Sequence, residues 1–185
     1  LQTNATYDTI TYWLTDSAAI AQDSIYLEMT YLVSDSLYNL IPQTDTVIAV
    51  YRRPRMSEKA WEAAQRKKQE RKLELKTNTS SKFDIYDTIR IYSPFPLDSV
   101  HMENIHLAQK VDTTFKPIKI QLQSQDSLRQ TMLVVAALEP LGSYVLTLDS
   151  AAMKDIYGKC NDSIDYKLKL KSLDEYSTLL VKMTH

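Results

Sequence analysis

The sequence predicts a mainly β chain folded as a sandwich, on three observations. Tyrosine is abundant, with 12 against 3 phenylalanines, and tyrosine mixed with Thr, Val and Ile suits half-buried pleated strands. Apolar and polar residues alternate with a period of two in several runs, as in strands with one covered face. Between residues 83 and 172 such runs return about every ten residues with turn formers between them, the pattern of a sandwich. Only 2 glycines are present, so Asp, Asn and Ser must close most turns through their side chains.

Residues 7–14 read as a strand, with Ile10 and Tyr12 on one face and Trp13 on the other. Residues 16–21 suit one helical turn. Residues 23–33 alternate most clearly: Ile25, Leu27, Met29 and Tyr31 share one face, and Ser24, Tyr26, Glu28 and Thr30 the other. A polar turn over 35–42 then leads to a third strand over 45–51. Three strands fall short of the roughly seven of an independent sandwich. Residues 1–53 are therefore expected to be the later half of an immunoglobulin-like domain whose opening strands lie upstream, and the start at Leu1 reads as a cut from a longer precursor.

The composition then changes. Residues 56–76 are rich in Ala, Glu, Lys, Gln and Arg with no Gly, Pro or β-branched residue, which predicts a solvated helix with Ser57 as N-cap and Trp61 as anchor. With the polar stretch 77–82 it makes a charged spacer over residues 54–82. Strands are expected over 83–92, 104–111, 115–124, 130–137, 143–148 and 163–171, with a helical turn over 151–157 ended by Gly158. Residues 173–185 read as the start of a further domain or a terminal strand. The expected fold is an immunoglobulin-like β-sandwich over 83–172, preceded by the incomplete strand-rich segment and the spacer.

Several functional classes find no support. The net charge of −1 supplies no field for nucleic acid or an anionic membrane. Arg52, Arg53 and Arg55 and the basic helix are diluted by Glu58, Glu62, Glu70 and Glu74, and no stacking aromatics sit among them. No apolar run approaches the roughly 18 residues of a membrane-spanning helix. Cys160 is alone, so neither a disulfide nor a thiolate cluster is expected. His101 and His106 are five apart and fall on opposite faces of a strand, and Asp84 and Asp87 lack calcium-loop spacing. No metal, cofactor or catalytic residue is expected.

One motif stands out. Asp is followed by Ser or Thr eleven times, placing hydroxyls at Thr9, Ser17, Ser24, Ser36, Thr46 and Thr88, then at Ser99, Thr113, Ser127, Ser150 and Ser163. Chance pairing of 15 Asp with 33 Ser and Thr in 185 residues gives roughly three. Asp at a turn followed by a hydroxyl residue entering a strand accounts for part of the excess. In every case the next residue is Ile, Ala, Leu, Val or Thr. That triplet resembles the acceptor sequence of the general O-glycosylation system of Bacteroidota, which implies these hydroxyls as modification sites.

A wider resemblance rests on Tyr144, Leu146, Asp149, Ser150, Ala151, Asp155, Ile156, Tyr157 and Gly158, then Glu175, Tyr176, Thr178 and Leu179. This pattern, with the stretch from Asp8 and the charged insertion after it, resembles exported Ig-like-domain proteins of Bacteroidota, related to the S-layer-type bacterial Ig-like fold. The resemblance implies export to the outer membrane or cell surface as part of a multidomain protein, and carries no catalytic residues. The expected function is a non-catalytic structural or spacer module, with the neighbouring domains of its parent as partners. The alternative is a glycan- or protein-binding module using Tyr12, Trp13, Tyr26, Tyr38 and Tyr92 as exposed aromatics. A hydrolase would need paired carboxylates about 5–9 Å apart.

Overall fold

Alternation does build antiparallel strands, which are the prevailing secondary structure of the chain. The computed structural model describes residues 1–177 except Ala5, Tyr7, Asp8 and Arg53. The fold is mainly β and divides into two compact units, Leu1–Arg66 and Lys67–His185.

In the first unit, β1 (Gln2–Thr3) pairs with β2 (Ile10–Thr11), so only two residues of the strand expected over 7–14 are extended among those described. Helix α1 (Ser17–Ile20) is one turn capped by Asp16, whose carboxylate accepts from Ala18 N at 2.9 Å. Then β3 (Ser24–Ser34) and β4 (Leu40–Val50) form an eleven-pair antiparallel hairpin. Ile25, Leu27, Met29 and Val33 are half-buried on one face of β3, while every residue of β4 is exposed. The strand expected from residue 45 starts at Leu40, because Pro42 is tolerated in a hairpin edge strand that needs no outward N–H. Asp35 closes the turn, accepting from Leu37 N and Asn39 N, both at 2.8 Å. Helix α2 (Glu58–Glu70) begins at Ser57, whose hydroxyl accepts from Ala60 N at 3.3 Å.

The helix ends six residues short of its expected end. In the run Lys-Leu-Glu-Leu-Lys (72–76), high helix propensity coexists with strict alternation, and burial decides between them. Leu73 and Leu75 are 4% and 7% exposed, and Leu73 N donates to Cys160 O at 2.9 Å. Each such leucine buried contributes about 1.5–3 kcal/mol, far more than the propensity difference per residue. Residues 76–82 are likewise built in. Strand β5 (Lys76–Thr77) pairs with β6 (Ile89–Tyr92), and Asn78 holds Arg90 N, Thr88 O and Asp87 with its side chain. The second body therefore opens at Lys67, not at the expected residue 83.

After β6 come β7 (Leu97–Val100), β8 (Ile105–Val111), β9 (Thr114–Ile118), β10 (Ile120–Ser124) and β11 (Thr131–Ala136). They are followed by β12 (Ser143–Leu148), β13 (Met153–Asp155) and β14 (Ile164–Lys169). One four-stranded antiparallel sheet has the order β10-β11-β6-β5, a second has β14-β12-β8-β9, and β13 pairs with β7. The single strand expected over 115–124 is two, divided at Lys119, because the chain leaves one sheet there and enters the other. The strand expected over 83–92 is formed only from Ile89. The helical turn expected over 151–157 is corrected to β13: the Asn161 side chain takes Met153 N at 2.8 Å and holds the segment extended. The strand expected after residue 178 lies outside the described residues. Residues 173–177 begin with a short 3-10 turn, capped reciprocally by Ser172 and Glu175, and Tyr176 O–H accepts from Ile85 N at 3.1 Å.

Both sheets fill one core. Ile89, Ile91, Met132 and Val134 come from the first, and Leu107, Leu146, Leu148 and Leu168 from the second. Tyr144, 2% exposed, accepts from Glu139 N with its hydroxyl at 2.7 Å. Gly142 makes that possible: a Cβ there would lie 2.6 Å from Tyr144 Cε2 and 2.9 Å from Glu139 O. Gly142→Ala is expected to destabilise the second unit by about 1–3 kcal/mol, measured as a lower urea midpoint at unchanged m-value; an unchanged midpoint would mean the corner relaxes without loss.

Candidate functional site

The aromatics proposed for binding are placed as follows. Tyr26 is 66% and Tyr38 91% exposed. Tyr26 faces Ile48 across the hairpin and Tyr38 sits in its turn at φ 61°. Eight strand residues separate Tyr26 from the end of β3, or about 26 Å at about 3.3 Å per residue. They do not share a platform. Tyr12 is exposed and Trp13 half-buried ahead of α1, and Tyr92 belongs to the second unit, on β6. A concavity of the first unit, about 490 Å³, is apolar and lined by Leu14, Ile20, Ile25, Val50, Tyr51 and Trp61. None of the five predicted aromatics lines it.

The eleven hydroxyls of the Asp-Ser/Thr triplets share one property: none is buried. Thr9, Ser17, Ser36, Thr46, Thr113, Ser127, Ser150 and Ser163 are exposed, and Ser24, Thr88 and Ser99 are half-buried. The preceding Asp often closes a turn. Asp16, Asp35, Asp87 and Asp126 accept from backbone N–H groups one to five residues on, Asp126 taking Leu128, Gln130 and Thr131 at 2.7–3.0 Å. Asp8 lies outside the described residues. At the other six positions the side chain does not cap the turn that follows, so local geometry accounts for part of the motif only.

The titratable groups weighed in the sequence are engaged locally. His101 faces Glu103 at 3.4 Å and His106 faces Asp149 at 3.3 Å, and Cys160 is half-buried beside Lys154. Among the described residues no three His, Cys, Asp or Glu converge as a metal site would require. Asp155 and Asn161, 1% and 2% exposed, are buried polar groups to which the sequence analysis gave no role. Asp155 accepts from Tyr157 N and Lys159 N, and Asn161 bonds Met153 N, Asp149 O and Asp162 O. These hydrogen bonds give them a role in holding loops, and the available signal was Asp and Asn three residues either side of Gly158.

Among the described residues four groups have perturbed pKa values with structural causes, among them Tyr166, which burial holds above the usual phenol value. Tyr31 is held above the usual phenol value by its hydrogen bond to Asp45. Asp35 is held below the usual carboxylate value, chiefly by the Asn39 N–H. Asp84 is lowered by the Tyr86 N–H first, then by the Tyr176 hydroxyl and the charge of Lys171, which stands 3.7 Å away. A carboxyl lowered in the folded state stabilises it above the unfolded pKa, and that contribution is lost as pH falls through the folded value. Asp84→Asn is therefore expected to flatten the acid limb of the pH–Tm profile of the second unit. An acid limb as steep as that of the parent would contradict this.

Comparison with protein-family models finds none that matches this chain, and comparison with curated proteins finds no match. Among solved structures the chain is similar to the N-terminal part of the bacterial S-layer protein SbsC, at 18% identity and a TM-score of 0.41. The alignment covers 62% of this chain and 26% of that one, so the chain spans about a quarter of the protein it matches. A likeness at this level carries no conclusion about fold or role.

Proposed function

We propose that the chain is a non-catalytic structural module of an exported, multidomain cell-envelope protein, with an immunoglobulin-like sandwich over residues 67–177. The observation that carries the sandwich reading is the Tyr144 corner. Its hydroxyl reaches back five residues to the backbone at the entry to a central strand, the device that pins the E–F corner of immunoglobulin-like sandwiches. Two open sheets filling one core, and a strand that passes from one sheet to the other, support the same reading.

Export is supported by the triplets. Eleven acceptor-like hydroxyls, none buried, fit a chain open to modification after folding, and turn chemistry accounts for only some of them. The mechanical role follows from cooperativity. One core shared by two sheets resists local opening, and a body of that kind holds neighbouring domains at a fixed spacing.

The test is intact mass and peptide mapping of the protein purified from its native host, with surface proteolysis of whole cells. Added mass on triplet peptides, and cleavage of the chain on intact cells, is the expected result. Unmodified protein confined to the soluble cytoplasmic fraction overturns the proposal.

A further inference from the structure

The sheet β14-β12-β8-β9 has a second face, turned away from the core. Its register sets Lys169, Ser143, Lys110 and Phe115 in one row across the four strands, and Lys167, Val145, Ala108 and Pro117 in the next. These rows border a concavity of about 320 Å³ lined by Ser81, Lys110, Phe115, Val145, Lys167 and Lys169. All three lysines are exposed, and among the described residues none of them is in an ion pair. The acids toward this end of the sheet are engaged elsewhere: Asp165, one row further on, accepts from Thr147 Oγ1 at 2.7 Å, and Asp149 faces His106 at 3.3 Å.

Three like charges grouped this way repel one another. Lys167 and Lys169 are about 7 Å apart along β14, and Lys169 and Lys110 lie two strands, or about 10 Å, apart. Such grouping disfavours folding slightly and favours an anion that neutralises the set. The edge of the sheet directs the mode of binding. Residues 80–83 already cover β14, with Lys169 N donating to Ser80 O at 3.1 Å and Phe83 N to Lys169 O at 2.8 Å. At β9 the other edge carries Pro117, so neither edge offers a full row of N–H groups to an added peptide strand. What remains is a face that side chains read: three ammonium groups, the hydroxyls of Ser81 and Ser143, and the Phe115 ring, which is 59% exposed. A nucleic acid strand asks for successive aromatics to stack its bases, and here there is one.

We propose that this face binds an acidic polysaccharide. Lys110, Lys167 and Lys169 pair with carboxylates carried on its sugars, the two serines meet ring hydroxyls, and Phe115 lies against the apolar face of a sugar ring. The inference goes beyond the structural role and stands without it.

The test uses the full chain in affinity electrophoresis and titration calorimetry with polygalacturonate, with neutral dextran and a single-stranded DNA oligonucleotide as controls. Polygalacturonate is expected to bind, more weakly as salt is raised, with dextran inert and DNA at least tenfold weaker. The triple variant Lys110→Gln, Lys167→Gln, Lys169→Gln is expected to lose about tenfold or more in affinity. The same three positions changed to Arg keep binding, and Phe115→Ala weakens binding to the polysaccharide. Lys76→Gln with Lys116→Gln and Lys119→Gln, an equal charge change elsewhere, leaves it intact. Since every lysine changed is exposed, unfolding midpoints are expected to be unaltered and are measured alongside. No binding of polygalacturonate by the parent chain, equal loss in the two Gln triples, or DNA bound as tightly as polygalacturonate overturns the proposal.

Discussion

Leu146→Ala is expected to lower the unfolding free energy of the second unit by about 3–4 kcal/mol. Leu146 is fully buried on β12, the strand that pairs on one side with β14 and on the other with β8. Its cross-strand neighbours are Leu107 and Tyr166. Truncation removes the transfer free energy of the side chain and leaves a cavity that a sheet paired on both sides cannot close by sliding. Leu173→Ala, at 56% exposure, is the matched control, with an expected change of no more than about 0.5 kcal/mol. Equilibrium urea unfolding followed by tyrosine fluorescence separates the two. A loss at Leu146 no greater than at Leu173 would mean that the two sheets do not share a dry core.

Asn161→Ala is expected to cost about 2 kcal/mol, although it removes only a small polar side chain. Its carbonyl oxygen takes Met153 N, and its amide nitrogen donates to Asp149 O and Asp162 O, each at 2.8 Å. Alanine leaves Met153 N without a partner at a buried site and takes one bond from Asp162 O, while Asp149 O keeps Ala152 N at 3.2 Å, at about 1 kcal/mol for each group that loses its partner. The damage should be local as well as global. Amides of β13 and of residues 149–152 should exchange much faster in Asn161→Ala, while those of β10 and β11 follow the overall loss of stability. Asn161→Asp keeps the acceptor for Met153 N but gives up both donations, so it should recover only part of the loss. Full stability in Asn161→Ala would show that water replaces the side chain at all three partners.

The sequence made the existence of strands legible and their partners illegible. Within residues 115–124, Ile118, Ile120 and Leu122 keep one period across the point where the chain passes from one sheet to the next. Only the change of neighbour at Lys119, from β8 to β11, makes two strands of it. At 72–76 two local signals competed. The helical composition was the more obvious, and burial of Leu73 and Leu75 settled the outcome in favour of alternation. At 151–157 the deciding group, Asn161, lies up to ten residues downstream and acts through its side chain. The hydroxyls of the triplets were all legible by spacing, and what the structure added is that none is buried. The basic face was half-visible as Lys-Leu-Lys at 167–169. Lys110 and Phe115 join it through pairing across the sheet, which no local pattern encodes.

The second unit begins at Lys67 and takes in the Leu73 segment as part of one cooperative body. Native-state hydrogen exchange on the full chain tests this directly. The Leu73 amide, bonded to Cys160 O, is expected to exchange only through global opening of the second unit, with the same free energy and denaturant dependence as Leu146 on β12. The amides of the exposed β3–β4 hairpin should exchange far faster, since a two-stranded ribbon is marginal in water. Exchange at Leu73 as fast as in the exposed helix α2, with Leu146 still protected, would contradict the account and return residues 71–82 to a linker.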